Sequence, residues 1–310
     1  MHAVTADDHP APADRPVAVL ANPTAGRGRH RGLLPQVLDR LAAGGRPLRV
    51  LDARSRGRAE AACREAVADG AAALVAVGGD GTVHLALQAV AGTPVPFGVV
   101  PAGTGNDFAA DTGFPADPLA AVDTIAAALR DGRSRPVDLA RITTADGGHR
   151  WYGAVLAAGF DAIVNERANR MRWPRGPRRY DLAILVELAR LRPRRYTLTL
   201  DGERIDVDAV LVAVGNGASY GGGMRICPAA DPTDGLLDVV VGGRFARRTL
   251  IRVKPRIYAG THVTHPLVQT YQARTVTIAA HGITTYADGE RCLPLPLTVS
   301  AIPAALHLLR

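Results

Sequence analysis

The sequence predicts an α/β N-terminal doubly wound domain followed by a C-terminal, mostly antiparallel β-sandwich domain. Three observations carry this. From about residue 16, short β-branched runs alternate with longer amphipathic stretches, strand then helix, as parallel βαβ units require when helices cover both faces of a sheet. Glycine-rich turns close three of the strand runs, at the edge where an open α/β sheet forms its ligand crevice. After "RSRPVDLARI" the texture changes to consecutive strand-like runs joined by Asp-Gly turns, which reads as antiparallel sheet.

In order, "PVAVLANP" predicts a strand, "LLPQVLDRLAA" a helix, "PLRVLDA" a strand and "AEAACREAVADG" a helix. "AALVAVGG", "VHLALQAVAG" and "FGVVPAG" then predict strand, helix, strand, and the first domain spans 16–136. The second, 137–300, contains "RYTLTLDGERIDVDAVLVAVGNG", "GLLDVVVGG", "ARTVTIAAHGITTYADGE" and "LPLTVSAI" as its strand runs. Residues 1–15 are acidic and Pro-rich, and read as a disordered tail instead of a signal peptide. Residues 301–310 form a C-terminal segment expected to pack back on the first domain.

A chain of 310 residues that is 47% apolar can build two cores. No apolar run approaches the roughly 20 residues that span a bilayer. Cys63, Cys227 and Cys292 lie far apart, which argues for a reducing, cytoplasmic setting and against a disulfide framework or structural zinc. The net charge of +8 points to an anionic partner. Ten arginines between Arg167 and Arg195, set against Asp181 and Glu187, hold as much charge as the whole excess. Aromatic content of 5% and the lack of a recognition motif argue against nucleic acid. Lys254 is the only lysine, so a Walker-type Gly-Lys-Ser/Thr loop does not exist here. Oligomeric state is not readable, and a homodimer is compatible with the sequence.

The three glycine turns are "NPTAGRGR" (22–29), "GGDGT" (78–82) and "PAGTGNDFA" (101–109). Glycine frees backbone N–H groups to point at a ligand, and a helix N-terminus adds a positive dipole end, so together they make a phosphate cradle without lysine. Each turn alone is also ordinary punctuation between strand and helix. Asp80 is the informative residue, because a carboxylate beside an anion site repels phosphate unless a cation intervenes. Mg²⁺, a hard ion that prefers oxygen ligands, resolves that conflict.

In "PAADPTDGLLD", Asp231, Asp234 and Asp238 offer closely spaced oxygens, either for a hard cation or for an Asx turn before a strand. "DGER" occurs twice, at Asp201–Arg204 and Asp288–Arg291, and Asp-Gly is itself a hairpin signal. His262 and His265 have no third ligand nearby in sequence, so zinc catalysis is not expected. In "RANRMRWPRGPRRYDLAILVELARLRPRRY", arginines interleave with Met171, Trp173, Leu182, Ile184, Leu185 and Tyr196. Its "LAILVELA" part reads as core and its basic flank as a surface for transient docking on anionic membranes.

The three first-domain motifs are collinear with "AAGFDAIV" (157–164), "NGASYGGGMRICPAADPTDGLLDV" (216–239), "AGTH" (259–262) and "DGE" (288–290). Together they resemble the diacylglycerol kinase catalytic-domain family, bacterial soluble lipid kinases related to sphingosine and ceramide kinases. The resemblance covers about 16–300. It implies an NAD kinase/diacylglycerol kinase-like fold, with transfer of the γ-phosphate of Mg–ATP to a hydroxyl of a diacylglycerol-like lipid. It also implies nucleotide contacts from Asn22, Pro23, Thr24, Ala25 and Gly26; from Gly78, Gly79, Asp80, Gly81, Thr82, Val83 and His84; and from Gly103, Thr104, Asn106 and Asp107.

By the same resemblance Glu290 is the general base, Asp288 its near partner or alternative, and Asp80 a further catalytic group. Asp201 and Glu203 are turn residues. Asp231, Asp234 and the Leu236 carbonyl match a structural Mg²⁺ site, and Asp138 matches an aspartate linked through water to metal and Asp80. The sequence departs from the family at His84 and Leu85, where Asn-Glu is usual, and near Ala53 to Ser55, where a threonine is usual. Two alternatives are an NAD kinase-like enzyme, which shares "GGDGT" but not the other motifs, and a catalytically silent nucleotide- or membrane-binding relative.

Overall fold

The computed structural model describes residues 15–21, 32–171, 173 and 177–310. The first domain runs β1 (Val17–Ala21), α1 (Leu33–Ala42), β2 (Leu48–Val50), α2 (Arg56–Ala68), β3 (Ala73–Gly78), α3 (Asp80–Val90), β4 (Phe97–Pro101), α4 (Asp107–Asp111) and α5 (Pro118–Arg130). Strands β2, β1, β3 and β4 lie side by side and parallel. Every residue of β1, β3 and β4 is buried, as continuous apolar runs covered on both faces should be. Local chemistry sets the helix starts: the Ser55 hydroxyl accepts the Arg58 amide to open α2, and Asp117 with Pro118 opens α5.

The second half continues as β5 (Arg135–Thr143), β6 (His149–Tyr152), β7 (Val155–Ala157), α6 (Phe160–Arg170), α7 (Pro177–Ala189), β8 (Arg194–Leu200), β9 (Glu203–Ala209) and β10 (Leu211–Gly215). It ends with β11 (Leu237–Gly242), α8 (Arg247–Tyr258), a 3-10 turn (Thr261–Thr264), β12 (Val268–Ala273), β13 (Thr275–Ala279), β14 (Thr284–Ala287), β15 (Glu290–Pro294) and β16 (Leu297–Leu308). One sheet, in the order β12-β11-β10-β7-β14-β15, is antiparallel throughout. Its apolar face packs on that of the other sheet around Tyr152, Tyr196, Val212, Val239, Val276 and Val299. This is the predicted β-sandwich.

The parallel sheet does not stop at the domain boundary. Its order is β2-β1-β3-β4-β16-β13-β8-β9, and the long β16 belongs to both halves. The first part of β16 pairs antiparallel with β13 and β5, while Leu308 stands beside Phe97 of β4 in parallel register. The Leu309 amide donates to the Phe97 carbonyl at 2.8 Å, and Leu306, Leu308 and Leu309 sit in the first core. A second seam is formed by α3, whose residues Thr82 to Leu87 are all buried. The Gln88 side chain exchanges two hydrogen bonds with the Trp151 backbone, at 2.7 and 3.0 Å. No helix among the described residues is long and apolar enough to cross a membrane.

Candidate active site

A cavity of 360 Å³ opens where the carboxyl ends of the parallel strands face the second domain. It is lined by Gly79, Gly81 and Thr82 of the "GGDGT" turn, Gly103 of the "GTGND" turn, Leu20, Leu85, Ala53, Ser55, Arg56 and Ala59, and by Glu290 from the β14–β15 turn. Helix α3 opens at Asp80, so its positive end meets the cavity. The expected contacts Asn22, Pro23, Thr24, Ala25 and Gly26 lie outside the described residues.

The motif glycines have a packing role that the sequence did not reveal. A Cβ at Gly103 would stand 2.4 Å from the Gly79 Cα, and one at Gly105 would stand 2.6 Å from Asp80 Oδ2. The two turns therefore touch through their backbones, and any side chain there would push them apart. Gly81 faces the other domain: a Cβ would meet Glu290 Oε1 at 2.7 Å. Gly78 is buried under Thr82, whereas Thr104 is exposed at the tip of its turn.

Asp80 accepts the Asn106 amide at 2.8 Å and the Phe108 amide at 3.4 Å, which binds one motif to the other. Burial, then the neighbouring charge of Asp107, with Asp288 also contributing, push its pKa up to about 6. Asn106 adopts a left-handed conformation, φ 61°, with its Oδ1 accepting the Gly103 amide.

Three expected nucleotide contacts are engaged elsewhere. Val83 is packed in the first core, because the α3 face it occupies points at the sheet. Asp107 sends its oxygens to the Gly222 and Gly223 amides at 2.8 and 2.6 Å, clasping the second domain's "GGG" loop. His84 donates from Nδ1 to Asp288 Oδ2 at 3.0 Å instead of facing the cavity.

Asp288 itself is enclosed, accepting Gly153 N at 3.2 Å and Ala154 N at 2.9 Å. Glu290, two residues on, is half-buried, reaches the cavity and pairs with Arg56. Arg56 and Leu85 are lining residues that sequence reasoning missed. An arginine at an exposed helix start reads as surface, and only the position of β14–β15, contributed from far along the chain, reveals it. Ala53 and Ser55 do line the cavity, where the family threonine is absent.

The Asp138 side chain bonds to neither Asp80 nor Asp288. Its oxygens accept the Gly235 amide at 2.7 Å and the Ala304 amide at 2.8 Å, and its own amide donates to the Pro232 carbonyl, so it anchors the 231–236 loop. Within that loop, Oδ1 of Asp231 accepts from Thr233 and Oδ1 of Asp234 from the Leu236 amide, as Asx turns do. Asp238 is on β11 and bonds Gln272. No group of three or more His, Cys, Asp or Glu among the described residues is arranged to hold a metal ion. His262 donates from Nε2 to the Ile226 carbonyl, a structural bond within the "GTH" turn.

Part of the arginine-rich segment is internally neutralised. Arg167 pairs with Glu187 and Arg170 with Glu166. Arg172 and residues 174–176 lie outside the described residues. Trp173 is 78% exposed and Leu185 63%.

Comparison with known proteins gives a consistent picture. Residues 16–142 match the profile of the diacylglycerol kinase catalytic domain, and residues 154–310 match the YegS C-terminal NAD kinase beta sandwich-like domain. The chain is 45% identical over 296 residues to a protein of Mycobacterium tuberculosis named diacylglycerol kinase, covering 95% of this chain and 94% of that one. It is 28% identical over 288 residues to a YegS-like probable lipid kinase of Klebsiella pneumoniae, covering 91% and 92%. A crystal structure of a diacylglycerol kinase from Bacillus anthracis shares the fold, with a TM-score of 0.71 at 22% identity over 95% of this chain and 96% of that one.

Proposed function

The chain belongs to the diacylglycerol kinase catalytic-domain family and carries the YegS-type second domain, and on that premise we propose that it transfers the γ-phosphate of Mg–ATP to the hydroxyl of a diacylglycerol-like lipid. One observation carries the reading most directly. Glu290 of the second domain reaches the edge of a cavity built from the "GGDGT" and "GTGND" turns of the first, so a carboxylate meets the nucleotide cradle.

In this reading the backbones of Gly79, Gly81 and Gly103 and the start of α3 receive the phosphates. Glu290 accepts the proton of the lipid hydroxyl as its oxygen bonds to the γ-phosphorus and the bond to the leaving ADP oxygen breaks, and the proton then passes to water. Arg56 is the cationic side chain lining the cavity among the described residues, and moving from Glu290 to the phosphoryl group both neutralises charge and frees the base. Asp80 fits Mg²⁺, since a buried carboxylate crowded by Asp107 and Asp288 is relieved by a divalent cation. Mg²⁺, when bound, neutralises charge on the phosphates. Asp231, Asp234 and the Leu236 carbonyl would hold a second, structural Mg²⁺ in a loop that Asp138 anchors. The exposed Trp173 and Leu185 beside the Arg167–Arg195 arginines support docking on an anionic membrane, where the lipid alcohol resides.

The test is purified protein with γ-labelled ATP, Mg²⁺ and a panel of diacylglycerol, a sphingoid base, phosphatidylglycerol and NAD. Label is expected in diacylglycerol. Label in NAD alone overturns the reading, and label in another lipid keeps the lipid kinase but replaces the acceptor.

A further inference from the structure

His84 lies in α3, the helix that leaves the "GGDGT" turn, and its side chain and that of Asp288 are each only 4% exposed. A carboxylate this enclosed survives as an ion only with full hydrogen bonding, and Asp288 has three N–H donors: His84 Nδ1 at 3.0 Å, Gly153 N at 3.2 Å and Ala154 N at 2.9 Å. An ionised carboxylate only accepts, so the ring proton that joins the pair is on Nδ1. Two of these donors come from the link between β6 and β7. His84 alone among them comes from the nucleotide helix.

The geometry of the turn makes this bond consequential. Asp288 has φ 50° and Gly289 φ 79°, so a non-glycine residue is held in the left-handed region at the point that sets the direction of Glu290. The Asp-Gly pair supports that conformation, and the carboxylate's three bonds fix where the turn sits against the β6–β7 link and α3. Removing His84 Nδ1 leaves Asp288 attached to its own domain through Gly153 and Ala154 but detached from α3. The distance between Glu290 and the cavity wall at Gly81 would then be set by the remaining packing.

We propose that His84 is a positioning residue: through Nδ1 it ties Asp288, and with it the turn bearing Glu290, to the helix that forms the nucleotide cradle. This rests on the reading of Glu290 as the base. It assigns a role to a side chain that departs from the family pattern and that the nucleotide cavity leaves unused.

Side-chain geometry supplies a discriminating test. Asparagine carries its amide nitrogen the same number of bonds from Cα as His Nδ1, whereas glutamine carries it one bond further, near Nε2. His84→Asn should keep kcat within about threefold, and His84→Gln, His84→Leu and His84→Ala should lower it on the order of 10²-fold, the scale of a roughly 1 Å misplacement. KM for ATP should stay within about twofold, because His84 does not line the cavity. Thermal melting identifies variants that fail to fold, and the Asn-against-Gln pair, both polar, keeps the comparison decisive if the apolar variants are lost.

Equal rates for Asn and Gln, or wild-type kcat in a folded His84→Ala, overturn the proposal. Ring ¹⁵N shifts of His84, assigned by their loss in His84→Asn, should report an Nδ1–H tautomer that changes in Asp288→Asn. An Nε2–H tautomer overturns the bond itself, independently of turnover. Glu290→Gln run in parallel separates the two readings: a full rate there removes Glu290 as base, while the ¹⁵N result still decides the His84–Asp288 bond.

Discussion

The string "DGER" occurs twice in this chain and folds the same way both times. In each copy the Asp and Gly take positive φ, 47° and 97° at Asp201–Gly202 and 50° and 79° at Asp288–Gly289, joining two antiparallel strands. In each, the Asp carboxylate accepts the amides of two consecutive residues of another segment, Arg274 and Thr275 for Asp201, Gly153 and Ala154 for Asp288. The surroundings differ. Asp201 and Glu203 are exposed at the rim of the sandwich, while Asp288 is enclosed against α3 and Glu290 reaches the cavity beside Arg56. Four residues specify a turn; the topology that brings β14–β15 to the first domain gives one copy its site.

The largest difference between the copies is expected in turnover. Glu290→Gln should lower kcat on the order of 10²–10⁴-fold, the usual contribution of a general base, with ATP binding intact by calorimetry, whereas Glu203→Gln should leave kcat unchanged. Equal effects would erase the functional distinction. Next, Asp288→Asn should cost on the order of 10²-fold in kcat through misplacement of Glu290, and Asp201→Asn should cost only about 1 kcal/mol of stability in urea unfolding, with full activity. Gly289→Ala and Gly202→Ala sharpen the comparison from the other side. Both positions have positive φ, so each should lose about 1 kcal/mol, and a large inequality would show that the two backbones are not equivalent in solution.

The smallest expected difference between the copies is in pH dependence. Asp80 rises from near 3.8 to about 6 on folding, so between about pH 4 and 6 the folded chain binds more protons than the unfolded one. Its contribution therefore favours folding at low pH and is lost as pH rises through that window. Unfolding measured from pH 4 to 7 without nucleotide or Mg²⁺ should show this slope, and Asp80→Asn should flatten it. Asp288→Asn should reduce it slightly by removing a neighbouring negative charge, and Asp201→Asn should not change it.

The βαβ order and the antiparallel second half were legible because periodicity and turn residues act locally: "ALVAVG" is apolar at every position and becomes the fully buried β3. The cavity was legible only in outline. Gly79, Gly81, Thr82, Gly103 and Glu290 come together as the motifs imply, since each is placed by its own turn. In sequence Arg56 reads as surface and His84 and Asp107 as nucleotide contacts, because their partners Glu290, Asp288 and Gly222–Gly223 lie more than a hundred residues away. No local pattern encodes such pairings. In β16 two stretches that read separately, "LPLTVSAI" as a strand run of the second domain and 301–310 as a segment packing back on the first, form one strand of twelve residues.

That shared strand bears on the order of folding. Phe97 pairs with Leu74 of β3 on one side and with Leu308 on the other, so that end of β4 is a free sheet edge until the far end of the chain has been laid down beside β13 and β5. A fragment ending near residue 142 would match a whole catalytic-domain profile and still expose an apolar strand edge of the kind that recruits other chains. The two halves are thus not modules to be cut and exchanged. The pairing of Leu308 with Phe97 joins residues far apart in sequence, and contacts of that range are the slow ones to form.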